Sequence, residues 1–502
     1  MNPETKLAQL KTMLNEYTDL VSTIGLLHWD LETYMPAGGS HGRGYQMATL
    51  SRIAHLKFTA DDVGQLLEDL TPYANELDPD SDDARLIRVT NRLYRKKSRV
   101  PATLVAEIAK ASSDAHLVWV RARQDANFGD FQPSLEMMLD LKRQYAECFR
   151  PFDHIYDPLL DDYEPGLKTA HVQEIFTALR PQQVELLRAI NKSPQVDDSF
   201  LHQNFDESIQ WEFGVHVITD YGYDWQRGRQ DKSTHPFTQD IGLGDVRITT
   251  RFTDNYFPSA FFSTTHESGH GLYVQGIDSN LDRTPLANGA SLAIHESQSR
   301  MYENIIGRSR QFWTRYYPSL QDYFPAQLGN VTLETFYNAI NKVEPSLIRV
   351  EADEATYNMH IMLRLELEIS LIGGSLEVKD LPEAWNNGMQ EYLGISPPND
   401  ALGVLQDVHW SQGYLGYFST YALGNLIAAQ LWECMAEDIP DLDAQIQRGE
   451  FNALTSWMRG KVHRHGAKFE PQELVQRITG SKIDQRPYMR YLTNKYTEIY
   501  QL

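Results

Sequence analysis

The sequence predicts a mainly α-helical protein with one small β-sheet, and three observations carry that prediction. Apolar residues recur at helical spacing through most of the 502 residues, as in Leu7, Leu10, Met13, Leu14 and Tyr17. One segment departs from it. In GDVRITTRF (244–252), Val246, Ile248, Thr250 and Phe252 alternate with polar residues and β-branched side chains dominate, which is the signature of a strand. Beyond that strand the helical pattern resumes and continues to the C-terminus without an internal repeat or a low-complexity tract.

Taken in order, the first amphipathic stripe ends at MPAGGSHGRG (35–44), where Gly and Pro interrupt it before helical patterns resume. Turns are expected at DPDSDD (78–83) and at KSPQVDDS (192–199). The second is the expected boundary between two lobes of a single domain spanning 1–502. DIGLG, just ahead of the strand, reads as a turn-rich approach, and the next helix begins soon after the strand ends.

Composition excludes several classes of function. An apolar fraction of 41% suffices for a large globular core, and the length leaves room for two lobes. A formal charge of −22 argues against nucleic acid or an anionic membrane as the main partner. Cys148 and Cys434 are far apart and outside any metal-type spacing, so a disulfide framework is excluded and a reducing compartment is expected. The first residues, MNPETKLAQLKTMLNEYTDL, carry charges throughout and lack the apolar centre of a signal peptide. With no apolar run of spanning length, a soluble, cytoplasmic protein is expected.

Chemistry concentrates in FFSTTHESGHGLYVQG (261–276). HESGH fits H-E-x-x-H: His266 and His270, one helical turn apart, face a single metal ion, with Glu267 beside its water. Phe262, His266, Gly269, His270 and Tyr273 share a face, so the imidazoles point where the helix buries its aromatics. Gly269 costs about 1 kcal/mol against Ala in a helix, which suggests a close approach by another element. A catalytic zinc site takes three protein ligands and leaves a position open for water. The helical stretch SLAIHESQSRMYENII (291–306) offers His295, Glu296 and Glu303 as the third, and chemistry alone does not choose among them.

The chain resembles the carboxypeptidase Taq family of zinc metallocarboxypeptidases. HPF (235–237), DVRIT (245–249), HESGH (266–270), HESQ (295–298), IRVEAD (348–353) and GVLQDVHW (403–410) occur in the family's order; LLHWDLETYMP near the N-terminus also looks familiar. The resemblance implies a two-lobed, neurolysin-like helical fold with a small sheet beside a deep active-site cleft. It implies one zinc ion per chain, with cobalt accepted in its place, held by His266, His270 and Glu296, and Glu267 as general base. His295 is then expected to support the site without binding the metal. It also implies a homodimer acting on peptides with a free C-terminus, with broad specificity.

Choosing a peptide's last residue requires a cation for the terminal carboxylate, and a guanidinium suits it by its planar fork. Arg349 in IRVEAD is the family-matched candidate; its structural alternative is an ion pair with Asp353 four residues on. His409 and Tyr421, or Tyr417, are candidates to stabilise the oxyanion, and Gln406 to contact substrate. His235 and Arg247 are expected near the cleft if the DVRIT strand forms its wall, where a strand edge pairs with substrate backbone; an ion pair is the alternative for Arg247. Arg300 and Met301 are expected to line the pocket for the terminal side chain. An endo-acting oligopeptidase on a similar fold is the nearer rival and a metal-stabilised scaffold the farther one.

Overall fold

The computed structural model describes residues 2–502 and is mainly α-helical with one three-stranded sheet among those residues. The first helix, Pro3–Glu32, starts with Pro at its first position and an Asn2 cap whose side chain accepts from the Thr5 amide at 2.8 Å. It buries Leu7, Leu10 and Leu14 of the predicted stripe, with Met13 and Tyr17 packed alongside. The glycine-rich interruption is shorter than the sequence suggests, because the helix Ser40–Phe58 runs through Gly42 and Gly44. Arg43 secures that turn, donating to the Leu27 carbonyl at 2.8 Å and to Asp30 at 2.7 Å. At 78–83 the turn is confined to its first half, because Ser81 caps the helix Asp82–Arg99. Residues 192–199 form the expected loop after the helix Thr169–Ile190, and side chains on both sides of it feed one large core.

The sheet comprises β1 (Gly228–Lys232), β2 (Thr238–Gly242) and β3 (Asp245–Thr250) in the order β1–β3–β2. β1 pairs with β3 in parallel, Gln230 beside Ile248, and β2 pairs with it antiparallel, Thr238 beside Ile248. Two expectations are corrected here. DIGLG is half strand, its turn confined to Leu243 and Gly244, and DVRIT is the central strand rather than an edge. Both of its sides are occupied, so it has no free edge to pair with another backbone.

Behind the sheet lies the histidine helix, Phe257–Gly276, buried around nearly its whole circumference and packed on β3. Against it lies the ligand helix, Leu292–Arg300, which continues as a π-helical turn over Met301–Ile306. The two backbones nearly touch. A Cβ on Gly269 would stand 2.6 Å from the Gln298 carbonyl oxygen and 2.6 Å from the Ser299 Cα, so the expected close approach exists and its cause is a neighbouring backbone. On the far side, a Cβ on Gly424 in the helix Ser419–Asp438 would meet the Glu296 Cβ at 2.6 Å.

Candidate metal centre and peptide-binding site

The histidine and ligand helices bring His266, His270 and Glu296 together, with one donor atom of each within 4.8 Å of the others. Both imidazole Nε2 atoms lie 3.7 Å from the same Glu296 Oε2. Their Nδ1 atoms point away and are engaged, His266 with Glu303 at 2.8 Å and His270 with His295 at 2.8 Å. These contacts fix the ring orientations and leave the Nε2 lone pairs facing inward, an arrangement that supports metal-bound imidazoles generally. Two nitrogens and one carboxylate oxygen converging from rigid helices fit a divalent cation with a coordination position left open. Chemistry alone did not choose among His295, Glu296 and Glu303; geometry separates them, with Glu296 facing the centre and the other two each holding an imidazole from behind.

Charge is arranged around that centre. Glu296 Oε1 accepts from Arg300 Nε at 2.7 Å, and Arg300 Nη1 reaches Glu303 at 3.0 Å. Burial pushes the Glu303 carboxyl up, but Arg300 and His266 outweigh it and bring the pKa down to about 2. Burial lowers His295 to about 4 and, with the neighbouring His266, holds His270 well below the ordinary imidazole range, so both are neutral. Arg300 is therefore engaged by two carboxylates and stacked on Tyr357 at 4.6 Å, and the adjacent Met301 is wholly buried in the core. Glu267 is 6% exposed, and its Oε2 accepts from the Thr238 hydroxyl of β2 at 2.7 Å. Burial raises its pKa against the opposing pull of His266 and Thr238.

A second cluster is built around Asp407. Arg349 donates to Asp407 Oδ1 through Nε at 3.0 Å, and Arg364 donates to Oδ2 at 2.6 Å. Burial opposes ionisation of Asp407, yet Arg364 and Arg349 hold its carboxyl well below the ordinary range. The expected alternative partner of Arg349 is thereby replaced. Residues Arg349–Glu351 form a 3-10 turn, and Asp353 instead accepts from the Ala355 and Thr356 amides in the turn ahead of the helix Tyr357–Gly373. Tyr357 links the two clusters: its ring lies against Arg300 and its hydroxyl accepts from Arg349 Nη1 at 3.1 Å. Tyr421 lies against Arg349, 5.1 Å from guanidinium to ring, with Tyr417 beside it at 5.3 Å. His409 packs on Phe418 at 4.5 Å, and burial lowers its pKa to about 4, leaving a neutral ring.

Three other candidate side chains are placed as follows. Gln406 accepts from the Arg349 amide at 2.9 Å and donates to the Leu347 and Leu402 carbonyls, so its side chain sets the loop that presents Arg349. Arg247 closes on its own strand neighbour Asp245, at 2.7 Å to each oxygen, and covers Trp29 at 4.3 Å, which is the ion-pair alternative. His235 is exposed in the turn between β1 and β2. Sequence reasoning missed Thr238, Tyr357 and Arg364. A signal existed for the last, a lone arginine in the apolar run YNMHIMLRLELEISLIG.

A histidine pair and a glutamate converging on one point, with a buried carboxylate beside them in a helical fold, define a metallopeptidase of the HExxH class. Residues 9–496 match the family described as carboxypeptidase Taq (M32) metallopeptidase, and the chain belongs to that family. It is 40% identical to thermostable carboxypeptidase 1 of Thermus thermophilus, covering all of both chains, and 38% identical to carboxypeptidase 1 of Bacillus subtilis, over 98% of this chain and all of that one. Its structure matches the crystal structure of an M32 carboxypeptidase from Deinococcus radiodurans R1 with a TM-score of 0.97 and 39% identity, over 99% of this chain and 100% of that one. The protein is a metallocarboxypeptidase, and its family implies a divalent metal. Among the described residues no helix is long and apolar enough to cross a membrane.

Proposed function

We propose that the protein is a zinc-dependent carboxypeptidase that releases single C-terminal residues from peptides with broad specificity. His266, His270 and Glu296 hold the ion, and the carrying observation is that both histidine Nε2 atoms lie 3.7 Å from one oxygen of Glu296. A divalent cation held there would supply Lewis-acid polarisation of a carbonyl and acidification of a water. Glu267, buried and oriented by Thr238, takes the attacking water's proton and passes it to the leaving amine. Arg349 binds the terminal carboxylate, a role supported by its position in a cluster where two guanidiniums face one carboxylate. Tyr421 or His409, both neutral and beside Arg349 or its partner, donates to the developing oxyanion.

On the family resemblance, the chain acts as one catalytic unit with a hinge between lobes near 192–199, accepts cobalt in place of zinc, and works as a cytoplasmic homodimer. Light scattering tests the dimer, since a monomer mass at micromolar concentration contradicts it. Elemental analysis of purified protein tests the ion. The deciding experiment uses two peptides differing only in a free or amidated C-terminus, with products read by mass. Stepwise loss of residues from the free acid alone is expected. Internal cleavage of both peptides would assign an endopeptidase and remove Arg349 from substrate binding.

A further inference from the structure

Away from the metal centre, the last turns of the helix Asp82–Arg99 open onto a cavity of about 330 Å³ lined by Asn91, Arg92, Arg95, Lys96, Arg99, Phe149 and Asp161. That volume lies at the lower end of the range of small-molecule sites. Arg92, Arg95, Lys96 and Arg99 follow a spacing of three, one and three residues, so they form one face of the helix. Such a concentration of positive charge runs against the overall −22 of the chain.

The cations are only partly compensated. Arg92 pairs with Asp161 at 2.6 Å, and Lys96 reaches Asp161 at 2.8 Å and Asp162 at 2.6 Å. Arg95 and Arg99 are exposed and have no carboxylate within ion-pair distance among the described residues. Four cations against two carboxylates leave two positive charges. Basic residues do complement the dipole of a helix's last turn, which accounts for Lys96 and Arg99 but not for Arg92 and Arg95 further in. Like charges four residues apart, as in Arg92 with Lys96 and Arg95 with Arg99, also weaken a helix slightly, and no ion pair among the described residues uses Arg95 or Arg99.

We propose that this cavity binds a phosphate monoester. The excess of two positive charges matches a group carrying about −1.5 to −2 near pH 7, whereas a single carboxylate matches half of it. The free guanidinium forks of Arg95 and Arg99 suit paired phosphate oxygens. Phe149 supplies an apolar wall, and a smaller cavity of about 140 Å³ that shares Lys96, Phe149 and Asp161 with it offers Pro151, Phe152, Pro158 and Leu167 to the organic part of the ester, its Asp157 and Asp161 being matched by Lys96 and Lys168. The site shares no residue with the metal centre or the Asp407 cluster.

The probe is phenyl phosphate, titrated calorimetrically into the metal-loaded full chain at constant ionic strength, with benzoate as the single-charge comparison. The wild-type protein should bind phenyl phosphate at least tenfold more tightly than benzoate, and Arg95→Gln/Arg99→Gln should weaken phenyl phosphate at least tenfold. Both residues are exposed and outside the catalytic machinery, so the double variant should keep wild-type peptidase activity and thermal midpoint. Binding that survives in the double variant would assign the heat to the metal centre and overturn the proposal. So would the absence of binding to the wild type, or equal affinity for benzoate.

Discussion

The two clusters that meet at Tyr357 are opposite in charge. Around the metal centre, the carboxylates of Glu296 and Glu303 share Arg300, with Arg308 more distant at 3.9 Å from Glu303, and Glu267 adds a third carboxyl held only by the Thr238 hydroxyl. Around Asp407, two guanidiniums share a single carboxylate. A third buried cluster, Lys495 with Glu354 at 2.7 Å, is balanced one to one, and tyrosine hydroxyls of the C-terminal helix Arg486–Tyr500 adjoin it. Uncompensated charge in a low-dielectric interior is costly, so an imbalance retained there calls for a ligand of opposite sign. The balanced pair docks a helix. The unbalanced ones suit a cation on one side and, on the function proposed above, a carboxylate on the other.

The sharpest way to break this contrast acts on the excess of negative charge. Glu267→Gln should lower kcat by roughly 10²–10⁴-fold while elemental analysis still finds the ion, because it removes a proton acceptor and no ligand. Near-normal turnover would take Glu267 out of the proton transfer. On the other pole, Arg349→Gln should raise KM for free-acid peptides roughly 10- to 150-fold, the loss of about 1.5–3 kcal/mol for a hydrogen bond to a charged group. Amidated peptides should be indifferent to it, and an equal effect on both would make Arg349 a purely structural partner of Asp407. Glu303→Gln should weaken metal binding about 10- to 100-fold, read by competition with a chelator, since it loosens His266 without removing a ligand.

The smallest expected effect concerns Glu164, whose carboxylate accepts from the Ala293 amide at 2.6 Å at the start of the ligand helix. Burial raises its pKa from 4.5 to about 8. Between those values the native protein keeps a proton that the unfolded chain has released, so stability falls as pH rises from about 4.5 to about 8. Glu164→Gln keeps an acceptor for that amide and removes the titration. Its thermal midpoints at pH 5 and pH 8 should lie closer together than those of the wild type, and an unchanged gap would contradict the raised pKa.

Elements whose signal lies in neighbouring residues were legible in the sequence. The periodicity from Leu7 to Tyr17, the alternation in DVRIT and the spacing of His266 and His270 each report a local geometry, and each has its counterpart in the fold. Residues whose role depends on distant partners were legible only in part. Glu296, Arg300 and Glu303 follow a helical spacing that puts them on one side, but only the packing of two helices shows which carboxylate faces the histidines. Thr238 sits on a strand whose second half, Asp240–Gly242, the sequence reads as a turn-rich approach because of Gly242 and Gly244. The pairing of Arg349 went astray for a related reason. A spacing of four implies contact only in a helix, and Arg349–Glu351 is a 3-10 turn followed by an extended residue.

The seating of the ligand helix between Gly269 and Gly424 has a thermal consequence. Side chains loosen on heating by exchanging rotamers, and a gap filled by long side chains widens as they do. On the Gly269 face, the one toward the histidine helix, the spacer is main chain, which has no rotamers to exchange. The distance from Glu296 to the histidine helix is therefore fixed by the hard contact of backbone atoms. Warming should leave that gap nearly unchanged until the helices themselves separate, so the cage for the ion keeps its size up to the temperature at which the fold is lost.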